Sequence, residues 1–334
     1  MKTRILSIAI VLHLFGALPA RSDGIQPDAL DALKTFAVAH QAALSQLASF
    51  EMKATLDITV HPSATTPEKH HWNITVIGKG DKLKETEDGA DDSPGAMYLE
   101  WQRGNNTSPT TPVPVTRIYY LSSNTVIEAD IYPGEKTAKK LAMGPPDVGL
   151  DNCPAFFEDS FLYSSVPDLG VPALLPSVLS SNDTWLGMIQ RAHTIKFERN
   201  GILHVESADD KGSSYVNFVK STGSNGGYQV RDIGFFHTRE QNRIPDRTIE
   251  VLDYVHDKTF GDIGRKFRME LLPYAFGWPH PFEPVHPDCI FDFAITEIKI
   301  NPPIDNASLE FDPASVTDFY DDQKGWTEVN NIHK

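Results

Sequence analysis

The sequence has only two cysteines in 334 residues and no excess of positive charge. It also has no apolar run long enough to cross a bilayer. Each shortage closes a class of function. Thirty basic against 45 acidic side chains leave a formal net charge of −15, and without a local basic patch a polyanion or an anionic lipid surface would be repelled rather than held. A nucleic-acid partner is therefore not expected. No HExxH, GxSxG, Walker loop or GxGxxG occurs, so the zinc-protease, nucleophile-elbow, P-loop and dinucleotide sites built on those spacings are missing. No cofactor is expected either. With 40% hydrophobic, 22% charged and 10% aromatic residues, the chain still has the composition of a globular protein able to bury a substantial core.

The first residues speak to compartment. Lys2 and Arg4 precede the apolar stretch Ile5 to Ala17, and small residues follow at Ala20 and Ser22. This order of charged region, apolar core and cleavage site is that of a secretory signal. About 13 apolar residues fall short of the roughly 20 that a spanning helix needs. The expected organisation is a signal peptide over 1–22 and one domain over 23–334, with no membrane span in the mature chain. Removing Lys2, Arg4 and Arg21 takes the net charge from −15 to −18. Export to a periplasm or the extracellular space makes a Cys153–Cys289 disulfide the expected state. Two separately buried thiols are the alternative.

Along the mature chain the hydrophobic period decides the elements. Leu30, Leu33, Phe36, Ala37, Leu44 and Leu47 fall at helical spacings after Pro27-Asp28. At Phe50 the period changes to two: Phe50, Met52, Ala54, Leu56, Ile58 and Val60 alternate with polar residues, and Trp72, Ile74 and Val76 supply a hairpin partner. Further strands are predicted at 97–102, 117–122, 126–132 and 137–143, with the acidic Glu85 to Gly95 and the segment 104–114 read as surface loops. Asp88, Asp91 and Asp92 lack the spacing of a calcium loop. The spacing of Val171, Leu174, Leu175, Val178 and Leu179 predicts short helices between 154 and 189, interrupted by Pro172 and Pro176. Strands return at 193–199, 202–207, 214–219, 228–238, 246–256, 265–272 and 291–301, before Pro302-Pro303 and a polar tail.

One helix, several strands, a helical insertion and more strands make an α+β protein. A long, strongly curved antiparallel sheet of about ten strands would have one face to bury, and the apolar helices are what can cover it. The expected shape is an unclosed half-barrel with the N-terminal helix and the central helical insertion on its concave face. The opening ALDALKTFAVAHQAALSQLASFEMKATLDITV resembles the helix-into-first-strand start of the LolA/LolB-like lipoprotein-carrier superfamily. The closing ITEIKINPPIDNASLEFDPASVTDF resembles its ending, a final strand running into an Asn and a proline-containing turn. The resemblance implies a large, divergent exported member whose ligand is a lipid acyl chain, a lipoprotein or another apolar molecule. The mature chain of 334 − 22 = 312 residues is longer than a plain carrier, with the surplus near 85–115, in the helical insertion and at 273–288. No position is identifiable for the arginine with which that superfamily locks its lid.

The residues expected to line the ligand site are Leu33 and Phe36 on the first helix, with Phe156, Phe157, Leu162, Leu174, Leu175, Leu179, Trp185 and Met188 on the insertion. The expected function is a non-catalytic binding or carrier protein. The alternative is an exported structural or adaptor protein whose acidic loop or 273–288 segment meets an envelope partner. A weaker alternative is a metal-dependent hydrolase. It rests on His280, Glu283, His286 and Asp288, residue types that zinc and similar ions accept, but Pro279, Pro281, Pro284 and Pro287 hold that stretch extended.

Overall fold

The computed structural model describes residues 24–44, 46, 48–60, 62–79, 82–90, 114–122, 125–132, 135–142, 189–208, 213–221, 227–236, 245, 247–258, 261–272, 287, 289–321 and 325–328. Helix α1 spans Pro27–Leu44. It opens with proline at its first helical position, where the missing N–H costs nothing, and with Asp28 beside the positive end of the helix dipole. The strands before the central insertion are β1 (Ser49–Val60), β2 (Glu68–Lys79), β3 (Lys82–Ala90), β4 (Pro114–Ser122), β5 (Thr125–Tyr132) and β6 (Glu135–Ala142). After it come β7 (Ala192–Phe197), β8 (Leu203–Ala208), β9 (Ser213–Lys220), β10 (Tyr228–Phe236), β11 (Arg247–Asp257), β12 (Gly261–Leu271) and β13 (Cys289–Ile300). Two short strands, β14 (Asp318–Asp321) and β15 (Gly325–Glu328), close the described chain.

All fifteen belong to one open sheet, in the order β15-β14-β6-β5-β4-β3-β2-β1-β13-β12-β11-β10-β9-β8-β7. The meanders β1–β6 and β7–β13 are joined by β1 pairing antiparallel with β13. The sheet is thus larger than the ten or so strands expected, and two readings of the sequence need correction. Glu85 to Ala90 is not a loop: it is the second half of β3, paired on both sides, to β2 and to β4. Leu83, Glu85 and Glu87 alternate with Lys84, Thr86 and Asp88, a strand period hidden by its acidity. The polar tail also folds. Residues 306–309 and 313–315 form 3-10 turns, and β14 then pairs parallel with β6, while every other pairing between the described strands is antiparallel.

The main core lies on one face of β7–β13, β1 and β2. Strand alternation buries Phe50, Met52, Ala54, Leu56 and Ile58 from β1, Phe291, Phe293 and Ile295 from β13, and Trp72, Ile74 and Val76 from β2. Leu33 and Ala37 of α1 join the same cluster as Ile195, Leu203, Val216 and Phe218. The β7 edge is covered: Gln26 N donates to Ile195 O (2.8 Å) and Ile195 N to Gly24 O (3.0 Å). A Cβ at Gly24 would come within 2.7 Å of the His193 carbonyl, so this close backbone approach needs glycine.

The turn between α1 and β1 is tied to the end of β13 by Asn301. Its Oδ1 accepts from Ala48 N (2.7 Å) and Ser49 N (3.2 Å), and its Nδ2 donates to Gln46 O (3.0 Å). Asn301 holds φ at 54°, the left-handed region that asparagine tolerates better than most residues.

Candidate functional site

Of the ten residues expected to line a ligand site, the structure describes two. Leu33 is fully buried in the main core. Phe36 packs edge-on against Phe218 of β9, ring centroids 5.0 Å apart. Both pack with the main core cluster on one face of the sheet. Phe156, Phe157, Leu162, Leu174, Leu175, Leu179, Trp185 and Met188 lie outside the described residues, as do Leu47, Cys153, His280, Glu283, His286 and Asp288. Cys289 opens β13 opposite Val60 and Leu271. Among the described residues no group of three or more His, Cys, Asp or Glu side chains could hold a metal ion.

The inner face is therefore the candidate site, and register shows how it is composed. One lateral row runs Ile300, Phe50, Gly78, Leu83, Leu121, Val126, Leu141 and is apolar from end to end. The next two change character between β2 and β3. Ile298, Met52 and Val76 continue as Glu85, Tyr119, Glu128 and Lys139, while Ile295, Ala54 and Ile74 continue as Glu87, Arg117, Asp130 and Thr137. At Gly89, which pairs with Val115, an added Cβ would meet the Trp72 ring. The indole fills that space.

On the opposite face the order is reversed. Between β1 and β13 it is polar: Lys53–Glu297 (3.0 Å), Lys299–Glu51 (2.9 Å) and Lys299–Glu297 (3.1 Å) are ion pairs at the surface, with Glu51 only partly exposed. A single row crosses nine strands through Lys196, His204, Asn217, Asp232, Glu250, Arg268, Asp292, Asp57 and His71. Several of its members are bonded. His204 Nδ1 meets Asn217 Oδ1 at 2.7 Å, Asn217 Nδ2 donates to Asp232 Oδ1 at 2.7 Å, Arg268 is bidentate on Asp292, and His71 meets Asp57 at 2.7 Å. Over β4 and β5 this face turns apolar, with Ala129 and Val316 buried among Ile118, Ile127 and Phe311.

The titration shifts among the described residues fall on strands β8–β13. Burial, then the nearby Asp232 charge, push the Tyr254 phenol up to about 12, and its hydroxyl donates to Val230 O at 2.6 Å. Burial raises the Tyr215 phenol, and the Asp232 charge adds to it. Burial raises the Glu206 carboxyl, but His204's hydrogen bond and charge, with help from Thr194 and His193, outweigh it and hold the group below its ordinary value. Ser221 donates to Asp262, and His256 meets the other Asp262 oxygen at 2.9 Å. Here the carboxylate bridges the serine hydroxyl and the imidazole.

Neither the charged rows of β3–β6 nor the face reversal was foreseen in the sequence. The signal was present as the alternation of Leu83, Glu85 and Glu87 against the neighbouring hydrophobic strands.

No protein-family profile and no curated protein matches the chain. The chain is similar to solved structures that include a putative outer membrane lipoprotein-sorting protein domain from Vibrio parahaemolyticus, at 8% identity and TM-score 0.41, covering 83% of this chain and 97% of that one. Another is a DUF1329 family protein from Desulfovibrio piger, at 7% identity and TM-score 0.40, covering 85% and 99%. A third is a LolA superfamily protein from Nitrosomonas europaea, at 8% identity and TM-score 0.36, covering 83% and 97%.

Proposed function

We propose that this chain is an exported, non-catalytic carrier that holds a lipid acyl chain or a comparable apolar molecule between its sheet and its helices. The observation that carries the reading is the extent of the apolar inner face against the reach of α1. That face crosses nine strands from β7 to β2, whereas an 18-residue helix is about 27 Å long and packs at the β7–β9 end. An apolar surface this broad is stable only with a second layer over it, and each large side chain in it is worth about 1.5–3 kcal/mol when covered. The large side chains of β1, β2 and β13 on that face are already buried within the chain, so a bound acyl chain takes the place of part of their cover. Export rests on the leader at 1–22. No described helix is long and apolar enough to cross a membrane.

An adaptor function would need a recognition surface other than 85–90, because those residues are a paired inner strand. Residues 91–95 of the acidic stretch and the 273–288 segment are what remain for it.

The test is native mass spectrometry and lipid extraction of the mature protein purified from its own host, with titration of a fluorescent fatty-acid probe. A co-purifying apolar molecule, displaced by the probe, is expected. Protein that carries nothing and leaves the probe unchanged overturns the carrier reading.

A further inference from the structure

We infer that the main wing opens along the seam between β10 and β11, so that α1 and β7–β10 swing as one body away from β11–β13, β1 and β2, and that this opening is what admits an apolar ligand. The inference rests on the carrier reading above, in which a ligand has to displace cover that the chain itself gives its core.

The hairpin of β10 and β11 is paired only next to its loop, from Phe235–Arg247 to Asp232–Glu250. Beyond that, among the described residues, the two strands part. Residues 228–230 stay on β9 and residues 251–257 stay on β12, so each body keeps its own ladder. Register breaks mark the divergence on both strands, between Val230 and Asp232 and between Val251 and Tyr254, and such bulges bend a strand away from its neighbour. The core is loosest at the same place. Val230 and Val251, on either side of the parting, are 8% and 9% exposed, against 4% or less for every other buried residue of the main core but Ala192.

Side chains fill the parting where a ladder would be. The Tyr254 hydroxyl donates to Val230 O (2.6 Å), and Asp253 Oδ1 accepts from Tyr254 N (2.9 Å). At the mouth, Ser221, directly after β9, donates to Asp262 of β12. Two bolts thus cross the seam, one from Tyr254 and one from Ser221. The closed seam also carries a penalty. Gln229 hydrogen-bonds the Tyr254 phenol through its side chain, but its Oε1 is buried with no hydrogen-bond partner. An unmet buried acceptor is costly, and water reaches it once the seam opens. The segment leading into α1 is bonded to Ile195 of β7, and Phe36 packs on Phe218 of β9, so α1 travels with the first body.

The test is stopped-flow uptake of the fluorescent fatty-acid probe by the full mature chain, with hydrogen exchange on the same variants. Tyr254→Phe removes a bolt and should speed uptake about fivefold, the effect of one lost hydrogen bond on an opening equilibrium. Ser221→Ala should act in the same direction. Gln229→Met removes the unmet acceptor at the expense of one bond to the phenol, a net gain for the closed seam, and should slow uptake. Lys299→Ala, between β1 and β13, should leave the rate unchanged. In Tyr254→Phe, residues 228–230 and 251–257 should lose exchange protection together while 247–250 keep theirs. Uptake indifferent to the three seam substitutions, changes of the same sign in Tyr254→Phe and Gln229→Met, or protection lost equally along the whole hairpin overturns the inference and leaves the carrier reading standing. A wild-type chain that takes up no probe overturns the carrier reading, and this inference with it.

Discussion

The two wings of this sheet share one continuous hydrogen-bonded ladder and bury opposite faces. From β7 through β13 to β2 the inner face holds the main core and the outer face carries the nine-residue polar row. From β4 to β6 the outer face holds a second, smaller core closed by Phe311 and Val316, and charged residues occupy inner register positions. Backbone pairing is thus indifferent to which face is apolar. Side-chain alternation and the available cover decide that locally. In the main wing the cover includes α1. In the second it is the segment after β13, anchored by Lys79 Nζ on Ile304 O (2.8 Å) and by the Lys82–Glu310 ion pair (2.7 Å).

If the main wing carries the stability, truncating its centre should cost most. Phe293 is buried between Phe267 and Leu56, so Phe293→Ala should lose about 3–5 kcal/mol, as large core truncations do. Phe311, only partly buried against Tyr120 (centroids 5.5 Å apart), should lose less than half of that on the same change. Urea unfolding of both variants measures the contrast, and equal losses would abolish the ranking of the wings.

Asn301 belongs to the main wing, directly after β13, and leads into the segment that covers the second core. Asn301→Ala removes three hydrogen bonds and places alanine at φ 54°, a combined cost of about 2–3 kcal/mol. Asn301→Gly relieves the backbone strain but not the lost bonds, so it should fall between alanine and wild type. A glycine variant as unstable as the alanine one would mean that the left-handed conformation contributes nothing.

Much of the main wing was legible because its residues obey one rule at a time. The period of 3.6 around Leu33 and Phe36 changes to two at Phe50, and the strands of the second meander alternate apolar with polar. In the second wing β4, β5 and β6 were legible too, but β3 was not. Its strand β3 is acidic on one face and mixed on the other, so composition spoke for a loop while alternation spoke for a strand. The pairing of β14 with β6 joins residues some 180 positions apart, and nothing local announces such a contact. The inner position of Leu33 and Phe36 could be read from helical spacing. The charged rows could not, because only register reveals which face Glu85 and Arg117 share with Met52 and Ala54.

The main wing should also govern the pH limits of the fold. Tyr254, with its folded value raised to about 12 by burial and by Asp232, contributes stability that is complete below the unfolded value near 10 and is lost as pH rises through about 12. Because the ring is only partly buried, screening reduces this to on the order of 1 kcal/mol. Tyr254→Phe should flatten that alkaline loss in thermal melts. Glu206 works in the other direction. Its folded value is depressed, so its contribution is present above the unfolded carboxylate range and is lost as pH falls through the folded value. Glu206→Gln should make the acid limb shallower while leaving the alkaline limb unchanged.

The smallest effect is expected on the polar face of the main wing, where the ion pairs are most numerous to the eye. Lys299 contacts both Glu51 and Glu297, and Lys53 contacts Glu297 from the neighbouring strand. Hydrogen bonds from Lys53 and then Lys299 lower the Glu297 carboxyl, and bonds to Glu51 and Glu297 raise the Lys299 ammonium. All four side chains are open to water, where the Coulomb gain is small, salt screens it, and holding long side chains in place consumes the remainder. Lys299→Ala should therefore leave the melting temperature within experimental scatter at physiological salt. The same variant should still move the Glu297 titration upward in an NMR experiment, since one of its two cationic partners is gone. A clear fall in melting temperature that vanishes in high salt would show that this ladder helps to hold β1 against β13, and the two wings would then differ in electrostatics as well as in which face they bury.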